Sequence, residues 1–367
     1  MSLSYMNYST TLAILVVLLL TGCQINLFDR PISPIVSPNG RATGKFQVDG
    51  WQIDTVLRGP NYKSYLAHFV NEQVGYLVST NYVDIQKTTD GGRTWTTQPS
   101  PLQTGKAYPR DIEFIDDKTG FISYQDTEGC PNGCRTRYSL LTTTNGGSTW
   151  TVVQAPEQGV LLSMHFTSAT EGVATATEGA SFTTLSPILL RTTNGGKSWQ
   201  KIPDILPAAY TYSLYFLDAQ MGFIRNERQL FRTTDGGRTW ALVTTALPTN
   251  VTYQPFQFIT NQTGYVTSYD GFSQTTDGGK TWLNLWTGST DLVGFVTPSE
   301  GFSIRTVKYY PNDIPDSDRE LRHTLNGGKT WKAYPLVHNL SVASVQFVSE
   351  RVGYAVQNNM VLRWIRR

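Results

Sequence analysis

Short runs of alternating hydrophobic and polar residues recur along most of the chain, and no long stretch shows the 3.6-residue apolar period of a helix. Alternation of this kind predicts β-strands with one buried face. Six such runs each follow a tryptophan: WTTQ, WTVV, WQKI, WALV, WLNL and WKAY. The chain is also rich in Gly (32 residues), Tyr (19) and Trp (9), which fits short strands joined by tight turns. We therefore expect an all-β protein.

Two motifs repeat through the chain. A nine-residue motif such as RTTDGGRTW occurs six times, and its fourth position is Asp or Asn: Asp90, Asn145, Asn194, Asp235, Asp277 and Asn326. Phe followed six residues later by Gly occurs seven times, at Phe69, Phe114, Phe166, Phe216, Phe258, Phe295 and Phe347. Since acid and amide alternate freely, the shared oxygen indicates a structural turn and not a metal or catalytic site.

The order of these motifs predicts the architecture. Each unit reads as four strands, and a four-stranded unit repeated radially is a β-propeller blade. The seventh unit (341–365) lacks its last strand, whereas GWQIDTV (50–56) has a Trp and no preceding blade. We expect the Trp51 strand to complete the last blade and remove its open edge. The sequence thus predicts a seven-bladed β-propeller over residues 50–367.

The nine-residue turns resemble the Asp-box, or bacterial neuraminidase repeat, of sialidases, sortilin-type propellers and some xyloglucan-degrading enzymes. Together with strand pairs such as FITNQTGYV (258–266), they resemble most tightly the photosystem II stability/assembly factor-like propellers, over about residues 50–365. That resemblance implies a lipid-anchored or lumenal helper of membrane-protein assembly. The Cys130 and Cys134 pair, and Gly-Tyr, Gly-Phe or Gly-Val in place of Gly-Trp, depart from the family. We therefore expect a non-photosynthetic envelope relative.

The N-terminus predicts export and anchoring. Leu12–Leu20 is an apolar run too short to span a bilayer, and LTGC (20–23) follows it. LTGC resembles the bacterial lipobox, which implies a signal peptide over 1–22, an acylated Cys23 and a flexible tether over 23–49. Residues 1–11 contain no Lys or Arg, so an ordinary signal peptide or a membrane anchor with a chance Cys is the alternative. Gln24 after the cysteine favours the outer membrane of a bacterial cell envelope.

Charge and cysteine content narrow the partners. The net charge is +2, so we expect no positive electrostatic potential strong enough to attract nucleic acid. Cys130 and Cys134 in CPNGC predict a local disulfide outside the cytoplasm, with free or metal-binding thiols as the alternative. We expect no cofactor and no metal.

Length variation points to a binding face. The stretches between the second and third strands are long in three units, and variable loops on a repeated scaffold are the usual place for binding. They supply the candidate contacts Arg135, Arg137, Tyr138, Lys308, Tyr309 and Tyr310. The residues before the repeat Phe include His68, Glu113 and His165, which predict either polar packing between blades or a facial metal triad.

These patterns favour a non-catalytic scaffold that binds an envelope or membrane protein. The alternative is a glycan-binding protein or a glycoside hydrolase. A hydrolase needs two carboxylates in one cleft, and the sequence offers Asp111, Glu113, Asp291 and Glu320 without pairing them. A sialidase is disfavoured because its Phe-Arg-Ile-Pro strand is missing.

Overall fold

The computed structural model describes residues 46–58, 65–80, 84–104, 106–126, 137–178, 186–202, 213–248, 256–268, 271–287, 292–310, 316–335, 344–357 and 360–367. In these ranges the regular structure is entirely β, and the strands form seven antiparallel sheets. The predicted seven-bladed β-propeller is therefore confirmed. No helix in the described ranges has the length and apolarity that crossing a membrane requires.

Six blades are four-stranded meanders that follow the chain. Blades 1 and 2 contain β3 (Tyr65–Phe69), β4 (Gly75–Ser79), β5 (Ile85–Thr88), β6 (Thr96–Gln98), β7 (Ala107–Phe114), β8 (Gly120–Asp126), β9 (Arg137–Thr143) and β10 (Thr151–Gln158). Blades 3 and 4 contain β11 (Val160–Phe166), β12 (Gly172–Glu178), β13 (Ser186–Thr192), β14 (Gln200–Lys201), β15 (Ser213–Phe216), β16 (Gly222–Arg225), β17 (Leu230–Thr233) and β18 (Ala241–Thr244). Blades 5 and 6 contain β19 (Phe256–Phe258), β20 (Gly264–Ser268), β21 (Gly271–Thr275), β22 (Leu283–Thr287), β23 (Leu292–Phe295), β24 (Gly301–Tyr310), β25 (Asp316–Thr324) and β26 (Lys332–Pro335).

Blade 7 joins the two ends of the chain. It contains β27 (Ser344–Phe347), β28 (Val352–Gln357), β29 (Met360–Arg366), β2 (Trp51–Arg58) and β1 (Phe46–Val48). Strand β2 pairs with β29 from Trp51–Arg366 to Arg58–Met360, so the predicted closure by the N-terminal strand is confirmed. The predicted tether is too long at its end, because β1 adds a fifth strand on β2 and Val48 is buried. The folded part therefore includes residues 46–49.

A charged cluster holds this N-terminal hairpin against blade 6. The Asp49 carboxylate accepts hydrogen bonds from Lys332 Nζ (2.7 Å) and, at 3.1 Å, lies against His323 Nδ1. His323 Nε2 is 3.0 Å from Glu300, which also accepts the indole N–H of Trp51 at 2.9 Å. Burial raises the pKa of Asp49, but the hydrogen bonds from Lys332, Tyr334 and His323 lower it by more, so the net result is a lowered pKa of about 2. The closing strand is thus fixed by charge as well as by strand pairing.

The Phe-x5-Gly repeat is explained by a contact inside each blade and one between blades. A Cβ atom on Gly75 would lie 2.2 Å from the ring of Phe69, so the ring occupies the space that only glycine leaves free. The residue after each Gly then packs on the Phe of the next blade. Five of these pairs are stacked rings with centroids 3.4–3.6 Å apart: Tyr354–Phe69, Tyr76–Phe114, Phe121–Phe166, Phe223–Phe258 and Tyr265–Phe295. This ring-to-ring stacking joins neighbouring blades.

Each repeat Trp meets the Phe of its own blade edge-on, with centroids 6.0–6.3 Å apart. Trp51 makes the same contact with Phe347 of blade 7, at 5.9 Å and an interplanar angle of 70°. Trp51 therefore occupies the position of the Trp that blade 7 lacks, as its spacing in the sequence predicted.

The Gly-Gly turn uses its Asp or Asn as a hydrogen-bond acceptor. Asp235 Oδ1 accepts the Thr239 N–H at 2.9 Å, and Asp235 Oδ2 accepts the Thr239 hydroxyl at 2.6 Å. In the turn at Asn145, Oδ1 accepts the Thr149 N–H at 2.9 Å while Nδ2 donates to the Thr149 hydroxyl at 2.8 Å. Because the threonine hydroxyl can donate or accept, acid and amide complete the same turn.

Candidate functional site

The propeller has two different faces. Because the strands of a blade are antiparallel, the Phe-x5-Gly turns and the Gly-Gly turns lie at the same end of each sheet. A backbone bond joins the two turns within a blade, for example Gly236 N–H to Gln220 O at 2.9 Å. We call this end the turn face. The hairpins between second and third strands lie at the opposite end, which we call the variable face.

The second strands extend furthest towards the variable face on blades 2, 3 and 6. The second strands β8 and β12 have seven residues and β24 has ten, against four to six in the other blades. At about 3.3 Å per residue, β24 is roughly 17 Å longer than a five-residue strand. The long stretches predicted as loops are therefore partly extensions of the blade strands.

The structure separates the predicted contact residues. Arg137 is exposed at the start of β9, on the variable face. Tyr138 is only 2% exposed and packs in the core between blades 2 and 3, so its prediction as a contact is wrong. The reason is that β9 lies inside the blade and is buried from Tyr138 to Leu141, so only Arg137 at its start is exposed. Lys308, Tyr309 and Tyr310 lie in β24, where the backbone of Lys308 pairs with that of Asp318. Cys23, Cys130, Cys134 and Arg135 lie outside the described residues.

The first strands of neighbouring blades contact each other, and in several blades the residue before the repeat Phe bonds to the next blade. The Gln257 amide pairs with the backbone of Phe295, accepting its N–H at 2.9 Å and donating to its carbonyl at 3.2 Å. Gln346 binds Phe69 in the same way, at 3.0 and 2.9 Å. These side chains thus cap backbone groups on the inner edge of the neighbouring sheet.

His68, Glu113 and His165 also make contacts of this lateral kind. Glu113 Oε2 accepts the N–H of Phe166 at 2.9 Å, and Oε1 lies 2.6 Å from His165 Nδ1. The imidazole of His165 stacks on Phe216 with centroids 4.1 Å apart. Burial is the main cause that lowers the pKa of His68. Polar packing between blades accounts for these contacts, and no three His, Cys, Asp or Glu side chains within the described ranges could hold a metal ion.

The carboxylates considered for hydrolysis are committed to other contacts. Asp111 accepts the backbone N–H groups of Met164 (2.8 Å) and Ile112 (2.9 Å), and burial raises its pKa to about 7. Glu320 is bonded to Arg322 Nε. Asp291 lies outside the described residues. Asp111 and Glu320 thus each have hydrogen-bond or ion-pair partners within the fold.

A cavity of about 490 Å³ opens between the first strands of blades 4 to 7, a size typical of ligand sites. It is lined by Tyr215, Phe216, Leu217, Phe256, Gln257, Tyr265, Thr267, Val293, Ser344, Val345, Gln346 and Phe347. Five of these residues are aromatic, and none is an acid, a base or a histidine. Burial raises the pKa of Tyr215 and of Tyr265 to about 12, so both phenols stay neutral near pH 7. The wall of this cavity is uncharged.

No model of a known protein family matches the sequence, and no curated protein matches it. Solved structures do resemble it. YCF48 bound to D1 peptide gives a TM-score of 0.62 at 18% identity, over 88% of this chain and 98% of that one. YCF48 from Cyanidioschyzon merolae gives 0.58 at 15% identity, over 85% and 98%.

A GH74 xyloglucanase from Xanthomonas campestris also gives a TM-score of 0.58, at 12% identity. The match covers 85% of this chain and 53% of the enzyme, so the chain spans about half of the length of that enzyme. At these identities the likeness shows the fold alone. This chain shares the propeller fold with a peptide-binding protein and with a glycoside hydrolase.

Proposed function

We propose that this protein is a cell-envelope lipoprotein whose propeller binds a polypeptide partner at its variable face and central cavity, without catalysis. The observation that carries the proposal is the uncharged wall of the cavity, which is rich in aromatic rings and contains no carboxylate. Aromatic side chains are enriched at protein-binding sites because they bury much area with few rotatable bonds.

Hydrolysis of a glycan is the weaker alternative for this cavity. It needs a general acid and a second carboxylate at the scissile bond. Asp111 and Glu113 are the ionisable acids on the channel wall of blade 2, and both already accept backbone N–H groups of blade 3. Removing either carboxylate from these contacts would leave buried N–H groups without partners, which is costly. The structure of YCF48 bound to D1 peptide supports the choice, since a propeller of this fold binds a peptide.

Membrane attachment through Cys23 completes the proposal. A multiply acylated cysteine would hold the propeller at the membrane, because each buried methylene contributes about 0.8 kcal/mol. Cys23→Ser should leave folding unchanged and release the protein into soluble envelope fractions. Metabolic labelling with a fatty-acid analogue measures this directly. If the wild type takes up no label, or if the variant stays with the membranes, the lipoprotein assignment is wrong.

Photocrosslinking in native membranes tests the binding face. A benzophenone amino acid at exposed Arg137 lies on the variable face, and one at Leu325, which is 66% exposed in a Gly-Gly turn, lies on the turn face. We expect a discrete protein adduct from position 137 and none from position 325. Equal adducts from both positions, or adducts with glycan only, would contradict a polypeptide partner on the variable face.

A further inference from the structure

The inner edges of four blades are capped by a side chain from the preceding blade. Gln346 caps Phe69 of blade 1, and Gln257 caps Phe295 of blade 6, each through both the N–H and the carbonyl. Glu113 caps the N–H of Phe166 in blade 3. His68 bonds to the backbone of Phe114 in blade 2. The repeat thus uses one long polar side chain to satisfy backbone groups that face the channel.

Among the described residues, blades 4, 5 and 7 have no such bond. The residue that precedes blade 4 is His165, which stacks on Phe216, and the one that precedes blade 5 is Tyr215, which bonds to Gln257. The one that precedes blade 7 is Gly294. Glycine has no side chain, so nothing at that position can bond to the backbone of Phe347.

Val345 is the next residue of β27 whose backbone N–H and carbonyl point away from β28, because residues two apart in a strand orient these groups in the same direction. Asp111 caps the equivalent N–H in blade 3, that of Met164, whereas the equivalent residue in blade 6 is Leu292, which cannot form hydrogen bonds.

The exposure of β27 agrees with a free edge. All four residues of β27 line the cavity, and Ser344 is exposed while the other three are half-buried. The ring of Phe347 is half-buried and lines the cavity, whereas Phe258 of blade 5, which also lacks a cap, is 0% exposed and does not line it. The free backbone groups of β27 therefore face an open, uncharged space.

We propose that the inner edge of β27 binds an extended polypeptide segment with uncharged side chains, which adds as a strand beside Val345 and Phe347. This rests on the proposed function and names the chemistry of the partner. An unpaired strand edge offers donors and acceptors at the spacing of another strand, which a peptide matches and a sugar does not. A charged side chain would lose its hydration in this cavity without meeting an opposite charge. The cavity volume admits a short segment and not a folded domain.

Amide hydrogen exchange tests the free edge without a ligand. In the full-length protein, we expect the Phe347 N–H to exchange at least about tenfold faster than those of Phe69 and Phe295, because a lost hydrogen bond of about 1.4 kcal/mol corresponds to tenfold. The double variant Gly294→Gln/Val345→Ala should supply the missing cap and slow this exchange. Val345→Ala alone is the matched control, needed because a Cβ on Gly294 would lie 2.9 Å from Val345 Cγ1. Equal protection of Phe347 and Phe295 in the wild type would overturn the proposal.

A peptide titration tests the occupant. The probe is the uncharged heptapeptide acetyl-Thr-Val-Ser-Val-Thr-Val-Ser-amide, followed by NMR of the backbone amides. We expect shifts at Val345 and Phe347, and at least about tenfold weaker binding to the Gly294→Gln/Val345→Ala variant than to Val345→Ala. Two N-methylated peptides serve as controls, one methylated at the odd-numbered amides and one at the even-numbered amides. Only one of them should lose binding, because in an added strand every second N–H points towards β27. No shift in β27 at millimolar peptide, or equal effects of both methylation patterns, would contradict strand addition.

The two proposals fail in different ways. If position 137 crosslinks a protein while the capped variant binds the peptide as well as its control does, the partner binds elsewhere on the face. If the peptide binds β27 but no native protein is crosslinked, the strand edge is real and the proposed partner class is wrong.

Discussion

Replacing Trp51 with alanine probes the closure of the ring most directly. Its side chain is 1% exposed, and its ring meets Phe302 and Phe347 edge-on at 5.5 and 5.9 Å. Trp-to-Ala changes in a core cost about 3–5 kcal/mol. The indole N–H also bonds to the Glu300 carboxylate, a kind of contact that is worth about 1.5–3 kcal/mol. Since the two losses share neighbours and are not additive, we expect Trp51→Ala to lower the free energy of unfolding by about 5 kcal/mol.

That loss is large against the total stability of a domain, about 5–15 kcal/mol, and should lower Tm by roughly 10 °C. Guanidinium unfolding followed by circular dichroism measures the free energy, and calorimetry measures Tm. Trp282→Ala is the matched control, because Trp282 makes the same edge-on contact with Phe258 and donates to the Gly279 carbonyl, but is only half-buried. We expect it to lose about half as much. Trp51→Phe should keep the ring contacts and lose only about 2 kcal/mol, from the N–H bond.

The reasoning has a clear point of failure. If Trp51→Ala unfolds within about 1 kcal/mol of the wild type, the closing strand does not hold the ring, whatever its pairing in the structure. If Trp51→Ala lowers the free energy of unfolding no more than Trp282→Ala does, the closing strand does not contribute more to stability than an ordinary blade strand. A broadened transition with two steps would instead indicate that blade 7 detaches before the other blades unfold.

Three further predictions concern the termini and the turns. Removal of residues 24–57 should destabilise the whole propeller, whereas removal of 24–45, which ends before β1, should leave Tm unchanged; equal melting of both would contradict closure. Asp235→Asn should change the unfolding free energy by less than about 0.5 kcal/mol, since sister turns use Asn, and Gly236→Val should cost about 2 kcal/mol because φ is 69° there. Asp49 has a lowered pKa, so it contributes stability above about pH 4 that is lost as pH falls towards 2. The denaturation midpoint of Asp49→Asn should therefore change less across that interval than the midpoint of the wild type.

The repeated part of the fold could be predicted because the same contact requires the same residue type in every blade. Gly75 is glycine because the Phe69 ring lies over it, and the same need appears in every blade. Trp51 could be assigned to the last blade from spacing alone, since a missing strand at one end matched an extra strand at the other. Such pairings need only the order of motifs along the chain.

Features that occur once were harder to predict. Strand β1 is three residues long, and its one signal is the Asp49–Gly50 pair, with φ values of 42° and 82° as in a tight hairpin turn. The contacts of Asp49 with Lys332 and His323 join residues more than 270 positions apart, which no local pattern reveals. Tyr138 lies in a stretch that loop length marks as variable, yet β9 already begins at Arg137 and carries Tyr138 into the core.

Departures from the repeat divide into two kinds, and the division locates the candidate site. At Trp51 the usual Gly-Gly turn is missing, yet Glu300 of blade 6 accepts the indole N–H that a turn carbonyl accepts in blades 1, 4 and 5. That departure is compensated within the fold, so it serves stability. At Gly294 the cap is missing, and no side chain at that position takes its place for Phe347. The edge of β27 faces an open cavity, so this uncompensated departure is where we expect a partner to supply the missing hydrogen bonds.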